Sequence, residues 1–93
     1  MRKFMIERDL PGVGGLDACA LSDAARTSNG ALAALGPGIQ WQHSYVTADK
    51  TFCVYLAESE ELIHRHAEKS GFPATKITEI SGVIDPTTET APG

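Results

Sequence analysis

A chain of 93 residues with 42% hydrophobic and 22% charged residues makes one ordinary globular domain, not a disordered segment. Its net charge of −4, with no Lys/Arg-rich stretch, speaks against a nucleic-acid partner. Two cysteines are too few for a disulfide scaffold, and charge returns at Glu7, Arg8 and Asp9, so the opening apolar run is too short for a signal peptide or a membrane span. The expectation is a cytoplasmic protein with free thiols.

Residues 3–7 (KFMIE) read as a first strand, ended by the breaker-rich Pro11-Gly12-Val13-Gly14-Gly15. From Leu16 to Leu35 the positions Leu21, Ala24, Ala25, Ser28, Ala31, Leu32 and Leu35 recur at three- and four-residue steps, one face of a helix. Asn29-Gly30 interrupts that face, but the phase continues, which predicts one imperfect helix rather than two. Gly36-Pro37-Gly38 ends it.

Residues 39–46 (IQWQHSYV) alternate as a half-buried strand does, 47–50 make a turn, and 51–57 (TFCVYLA) form the most β-prone run in the chain. Ser59 is an N-cap candidate, followed by Glu60 and Glu61 where a helix dipole favours anions. The helix behind it puts Leu62, Ile63, His66, Ala67 and Ser70 on one stripe, and Gly71 and Pro73 close it. Residues 76–84 (KITEISGVI) are a last strand. The domain is thus expected over residues 1–85, with 86–93 a disordered C-terminal tail lacking an apolar anchor.

Strand, helix, hairpin, helix, strand is the β-α-β-β-α-β pattern of an α+β, ferredoxin-like fold. Right-handed crossovers place both helices on one face of an antiparallel sheet and leave the other face bare. Side-chain parity puts Trp41, His43 and Tyr45 on one face and Gln42, Ser44 and Val46 on the other. An even-numbered turn would set Ser44 beside Cys53 and Tyr55 on the helix side. The bare face would then carry Trp41, Tyr45, Phe52, Val54 and Leu56 around His43, a patch that asks for a second copy of the chain or lines a pocket between two copies.

Cys53 and His66 both belong to the inner side, one on a central strand and one on the helix that follows. A thiolate and an imidazole suit Ni, Zn or Cu, whereas the plainer alternative has Cys53 as a small hydrophobe and His66 bonded to a carbonyl. His43 is either an interface residue or a ligand. His64 and Cys19 lie on outward helix faces. No CxxC, HExxH, P-loop or GxGxxG motif occurs, and no Ser/His/Asp set is evident along the chain, which leaves a set assembled only in space open; PGVGG reads as a plain loop.

The segments MIERDLPG (5–12), WQHSYV (41–46), DKTFCVY (49–55) and HAEKSGFP (66–73) together resemble a small bacterial family, domain of unknown function 4242. The family is similar to dimeric ferredoxin-like proteins, assembling as α/β-barrel-like dimers, some of which bind nickel. The resemblance implies a homodimer with a transition-metal role, Ni or Zn, at Cys53, His66 and His43. Two alternatives stay open. One is a dimeric small-molecule enzyme of monooxygenase or isomerase type using Tyr55, His66 and Ser44; the other is a purely structural or regulatory dimer.

Overall fold

The computed structural model describes residues 1–90, and they fold as expected of the ferredoxin-like pattern. Strand β1 (Arg2–Asp9) leads through a 3-10 turn (Val13–Gly15) to helix α1 (Ala18–Leu35). The hairpin β2 (Ile39–Val46) and β3 (Lys50–Ala57) follows, then α2 (Glu60–Ser70) and β4 (Lys76–Ile80). The sheet order is β2-β3-β1-β4, with every neighbouring pair antiparallel. No helix among the described residues is long and apolar enough to cross a membrane.

Helix α1 runs unbroken through Asn29-Gly30, since its inward residues Ser28, Ala31, Leu32 and Leu35 hold it to the core from both sides of the glycine. The Asp17 side chain accepts from the Ala20 amide and caps its first turn. Ser59 is the N-cap residue of α2, but its side chain makes no capping bond; Glu60 and Glu61 in the first turn answer the dipole instead. Gly71, at φ 80°, ends α2 with its amide on the Ala67 carbonyl.

The core gathers Phe4 and Ile6 of β1, Ile39 of β2, Cys53, Tyr55 and Ala57 of β3, and Ile63 of α2. Both helices therefore cover one face of the sheet, and Met5, Phe52 and Leu56 remain half-buried on the other.

Two expectations need correction. The last strand is shorter than residues 76–84, because β4 pairs along β1 only as far as Lys3↔Ile80, where β1 is about to run out. Beyond Ser81-Gly82, Val83 and Ile84 are 70% and 85% exposed.

The second correction concerns Trp41. Four residues separate the paired Val46 and Thr51, so Ser44 pairs with Cys53 as an even turn requires. A β-bulge at Gln42, however, shifts the register between Trp41 and His43. Trp41 consequently pairs with Tyr55 on the helix side and stacks on its ring at 6.4 Å, while His43 and Tyr45 stay on the bare face. Strict alternation could not foresee the extra residue.

Residues 86–90 form a short, exposed 3-10 turn in which the Thr87 amide donates to Asp85 Oδ1 and the Thr90 hydroxyl to the Thr87 carbonyl, and residues 91–93, the end of the expected tail, lie outside the described residues.

The loop that sequence reads as plain has a packing role. Leu10 and Gly14 donate to the Asp49 and Ala48 carbonyls, and the Gly12 amide donates to Asp49 Oδ1. The loop thereby lies flat on the β2–β3 turn. A Cβ at Gly14 would stand 2.6 Å from the Thr47 carbonyl oxygen. Gly14→Ala is expected to lift the loop and cost about 1–3 kcal/mol. Phe4→Ala, which empties a fully buried ring site, should cost about 3–5 kcal/mol. Urea unfolding of both variants, with Gly15→Ala as the unhindered control, measures this.

Candidate functional site

Strand alternation turns Phe4, Ile6 and Arg8 of β1 toward the helices, and β3 turns Thr51, Cys53 and Tyr55 the same way. Phe4 and Ile6 fill the core, but beyond them the wedge between α1 and the sheet widens into a cavity of about 250 Å³. Its walls are apolar: Leu10 and Val13 from the loop, Leu21, Ala24 and Ala25 from α1, and Phe72 after α2. Its polar atoms come from Arg8, Ser28, Ser44, Thr51, Cys53 and Tyr55, with Trp41 alongside.

Arg8 is 2% exposed. Its Nη1 donates to the Phe72 and Pro73 carbonyls at 3.3 and 3.0 Å, and its guanidinium carbon lies 5.9 Å from the centre of the Tyr55 ring. The Nη2 atom is buried and has no hydrogen-bond partner, and among the described residues no carboxylate pairs with Arg8.

A buried polar chain runs from the cavity into the space between the helices. Ser28 Oγ lies 3.2 Å from both Tyr55 OH and His66 Nε2, and His66 Nε2 is also 3.3 Å from the Ser28 carbonyl oxygen. A carbonyl only accepts, so Nε2 carries the ring proton of the neutral histidine and Nδ1 is a bare acceptor, which has no partner. Burial pushes the Tyr55 phenol above its ordinary pKa, with the Ser28 bond and Arg8 opposing. Burial likewise holds His66 below its ordinary value, against the pull of the Ser28 carbonyl, and Arg8 lowers it further.

The three residues expected to hold a metal are not brought together. Cys53 and His66 both lie on the helix side, but the Cys53 thiol is engaged with Thr51 Oγ1 and His66 with Ser28. His43 stands on the opposite face, exposed, edge-on to Tyr45 and 3.2 Å from its hydroxyl. Among the described residues no three His, Cys, Asp or Glu side chains form a group able to hold a metal ion. His64 is exposed and bonded to Glu60, and Cys19 is exposed. Ser44, a donor in the enzyme alternative, accepts from Trp41 Nε1 at 2.9 Å and lines the cavity with Tyr55.

Arg8, Ser28 and Thr51 were not picked out from the sequence. For Arg8 a signal existed: the alternation that buries Phe4 and Ile6 carries on to residue 8 once β1 is extended past Glu7.

An antiparallel β2-β3-β1-β4 sheet with two helices on one face defines a ferredoxin-like α+β protein, here with a partly open cavity beneath α1. Within that class, residues 4–80 match the family described as nickel responsive protein SCO4226-like, and the chain belongs to this family. The crystal structure of SCO4226 from Streptomyces coelicolor A3(2) superposes with a TM-score of 0.73 at 18% identity, over 88% of this chain and 99% of that one. At that identity the likeness shows the fold. None of the curated proteins compared matches the chain.

The buried neutral His66 gives stability a definite pH dependence. Its folded pKa lies below the unfolded value of about 6.5. As pH falls through that range the unfolded chain takes up a proton that the folded chain refuses, so stability present at neutral pH is lost on acidification. The urea midpoint is expected to drop between about pH 7.5 and about pH 5.5, and to drop less in His66→Gln. An equal drop in both proteins would remove His66 as the cause.

Proposed function

We propose that the protein is a small homodimeric metal-responsive protein, of the kind grouped with domain of unknown function 4242, that binds nickel or zinc through residues on the helix-free face of its sheet. The observation that carries this reading is the position of His43. It is an exposed imidazole on the helix-free face of the sheet, paired with Val54 and beside Tyr45, which is 59% exposed. Family membership supports the choice of nickel, since the matching family is described as nickel responsive.

Inside one protomer the donors do not fit a transition-metal centre, because His43 and the Cys53/His66 pair are separated by the sheet. Nickel and zinc need about four or more donors. A centre on the bare face must therefore draw on two copies, whose His43 imidazoles would supply two of the donors and solvent oxygens the rest. The same face supplies the apolar contact for pairing: Met5, Phe52 and Leu56 are half-buried there with no helix over them. Association through it buries these side chains and closes the sheet's open side, as a two-fold contact does. Of the three residues expected from sequence, His43 is the ligand retained; Cys53 and His66 have partners of their own in the interior.

Calorimetric titration of tag-free protein with Ni²⁺ and Zn²⁺, combined with light scattering, tests this. Wild-type protein is expected to run as a dimer and bind metal, His43→Ala to lose binding by at least about tenfold, and Cys53→Ser to keep it. A monomer that binds neither ion, or binding indifferent to His43→Ala, refutes the reading.

A further inference from the structure

We infer that the cavity under α1 is a binding site for a small organic monocarboxylate with an apolar body, its carboxylate held by Arg8. The inference concerns the helix side of the sheet and is independent of any metal on the opposite face.

Three observations carry it. The first is a buried positive charge with no counter-charge. Arg8 is 98% removed from solvent by its 2% exposure, and the two carbonyls that hold its Nη1 supply dipoles but no anion. A buried guanidinium without an anionic partner is strongly unfavourable, and such charges occur where something pairs with them. The second is its unfilled hydrogen-bonding capacity: Nη2 is buried and unpartnered. The third is the space, since Arg8 is itself a lining residue of the 250 Å³ cavity. Small-molecule sites run from roughly 300 Å³ upward, so this one admits a small ligand.

The chemistry of the lining narrows the ligand further. A guanidinium presents planar, forked donors that match a carboxylate. Hydroxyls of Thr51 and Tyr55 on the neighbouring strand offer further donors on the same side of the sheet, Thr51 pairing directly with Arg8 across the ladder. Away from these groups the walls are Leu10, Val13, Leu21, Ala24 and Ala25, which welcome hydrocarbon and offer a second charge no partner. One cation and apolar walls select a monoanion over a dianion. The Trp41 indole closes one side and gives an aromatic surface for a flat ligand body.

Trp41 is the chain's one tryptophan, so its fluorescence reports on occupancy. The experiment titrates chelator-treated protein with hexanoate, benzoate and phenylacetate, and in parallel with the corresponding neutral amides. At least one carboxylate is expected to change Trp41 emission saturably, with an affinity about tenfold or more above its amide. Arg8→Gln is expected to abolish that preference. Because this substitution alters a buried site, Ala25→Phe serves as a second variant that fills the cavity from α1 and leaves Arg8 in place; it should lose binding of all the ligands. Amide-proton shifts in the wild-type protein should map to β1, β3 and α1. Absence of saturable binding by all three carboxylates, equal affinity for acid and amide, or shifts confined to the bare face would each overturn the inference.

Discussion

One surplus residue in β2 governs how the two faces of the sheet differ. Ile39 must face the helices to complete the core beside Ala57, and Ser44 must do so to sit opposite Cys53. These positions are five apart, an odd interval that a regular strand cannot place on one side. The bulge at Gln42 absorbs the difference. It sends Trp41 inward to stack on Tyr55 and to donate to Ser44, while His43 and Tyr45 turn outward together. The cavity's aromatic side and the bare face's imidazole are thus two results of one local irregularity.

The fold was readable because each element has its own periodicity and its own stop signals. The continuous phase of Ser28, Ala31 and Leu35 across Gly30 was enough to identify a single α1, and the stripe carrying Ile63 and His66 was enough for α2. The site was less readable, for reasons that lie in the chain's geometry. A bulge leaves no local signature in IQWQHSYV, so parity assigned Trp41 to the wrong face. The end of β4 depends on where its partner stops, and nothing in KITEISGVI records that β1 has been used up at Lys3. The Ser28–His66 contact joins residues on two helices 38 positions apart, which no single-strand pattern encodes. Arg8 was overlooked for a different reason: the first strand reads as ending at Glu7, yet here the strand continues to Asp9 and the alternation carries the guanidinium inside.

The interior is divided according to what it is asked to hold. Near the β1 amino end, Phe4, Tyr55, Ala57 and Ile63 pack as a hydrophobic core. Toward its carboxyl end the helix–sheet wedge opens, and polar groups appear that the fold alone does not require: a guanidinium, four hydroxyls and a thiol. The glycine loop seals that end by lying on the hairpin turn, where Gly14 permits a contact that any side chain would hold apart. Stability is concentrated at one end of the sheet and binding capacity at the other, as expected where a site is carved from a small domain.

The strand order also has a kinetic meaning. β1, the first element of the chain, is flanked in the sheet by β3 and β4, whose pairing partners lie about fifty and seventy residues downstream. The centre of the sheet cannot close until those distant segments arrive, so the search cost falls on long chain loops rather than on neighbouring turns. The β2–β3 hairpin and the two helices have local contacts to start from. Burying Arg8 requires both of these distant segments, since it pairs with Thr51 of β3 and donates to the Phe72 and Pro73 carbonyls ahead of β4, so its guanidinium stays in water until long chain loops have closed.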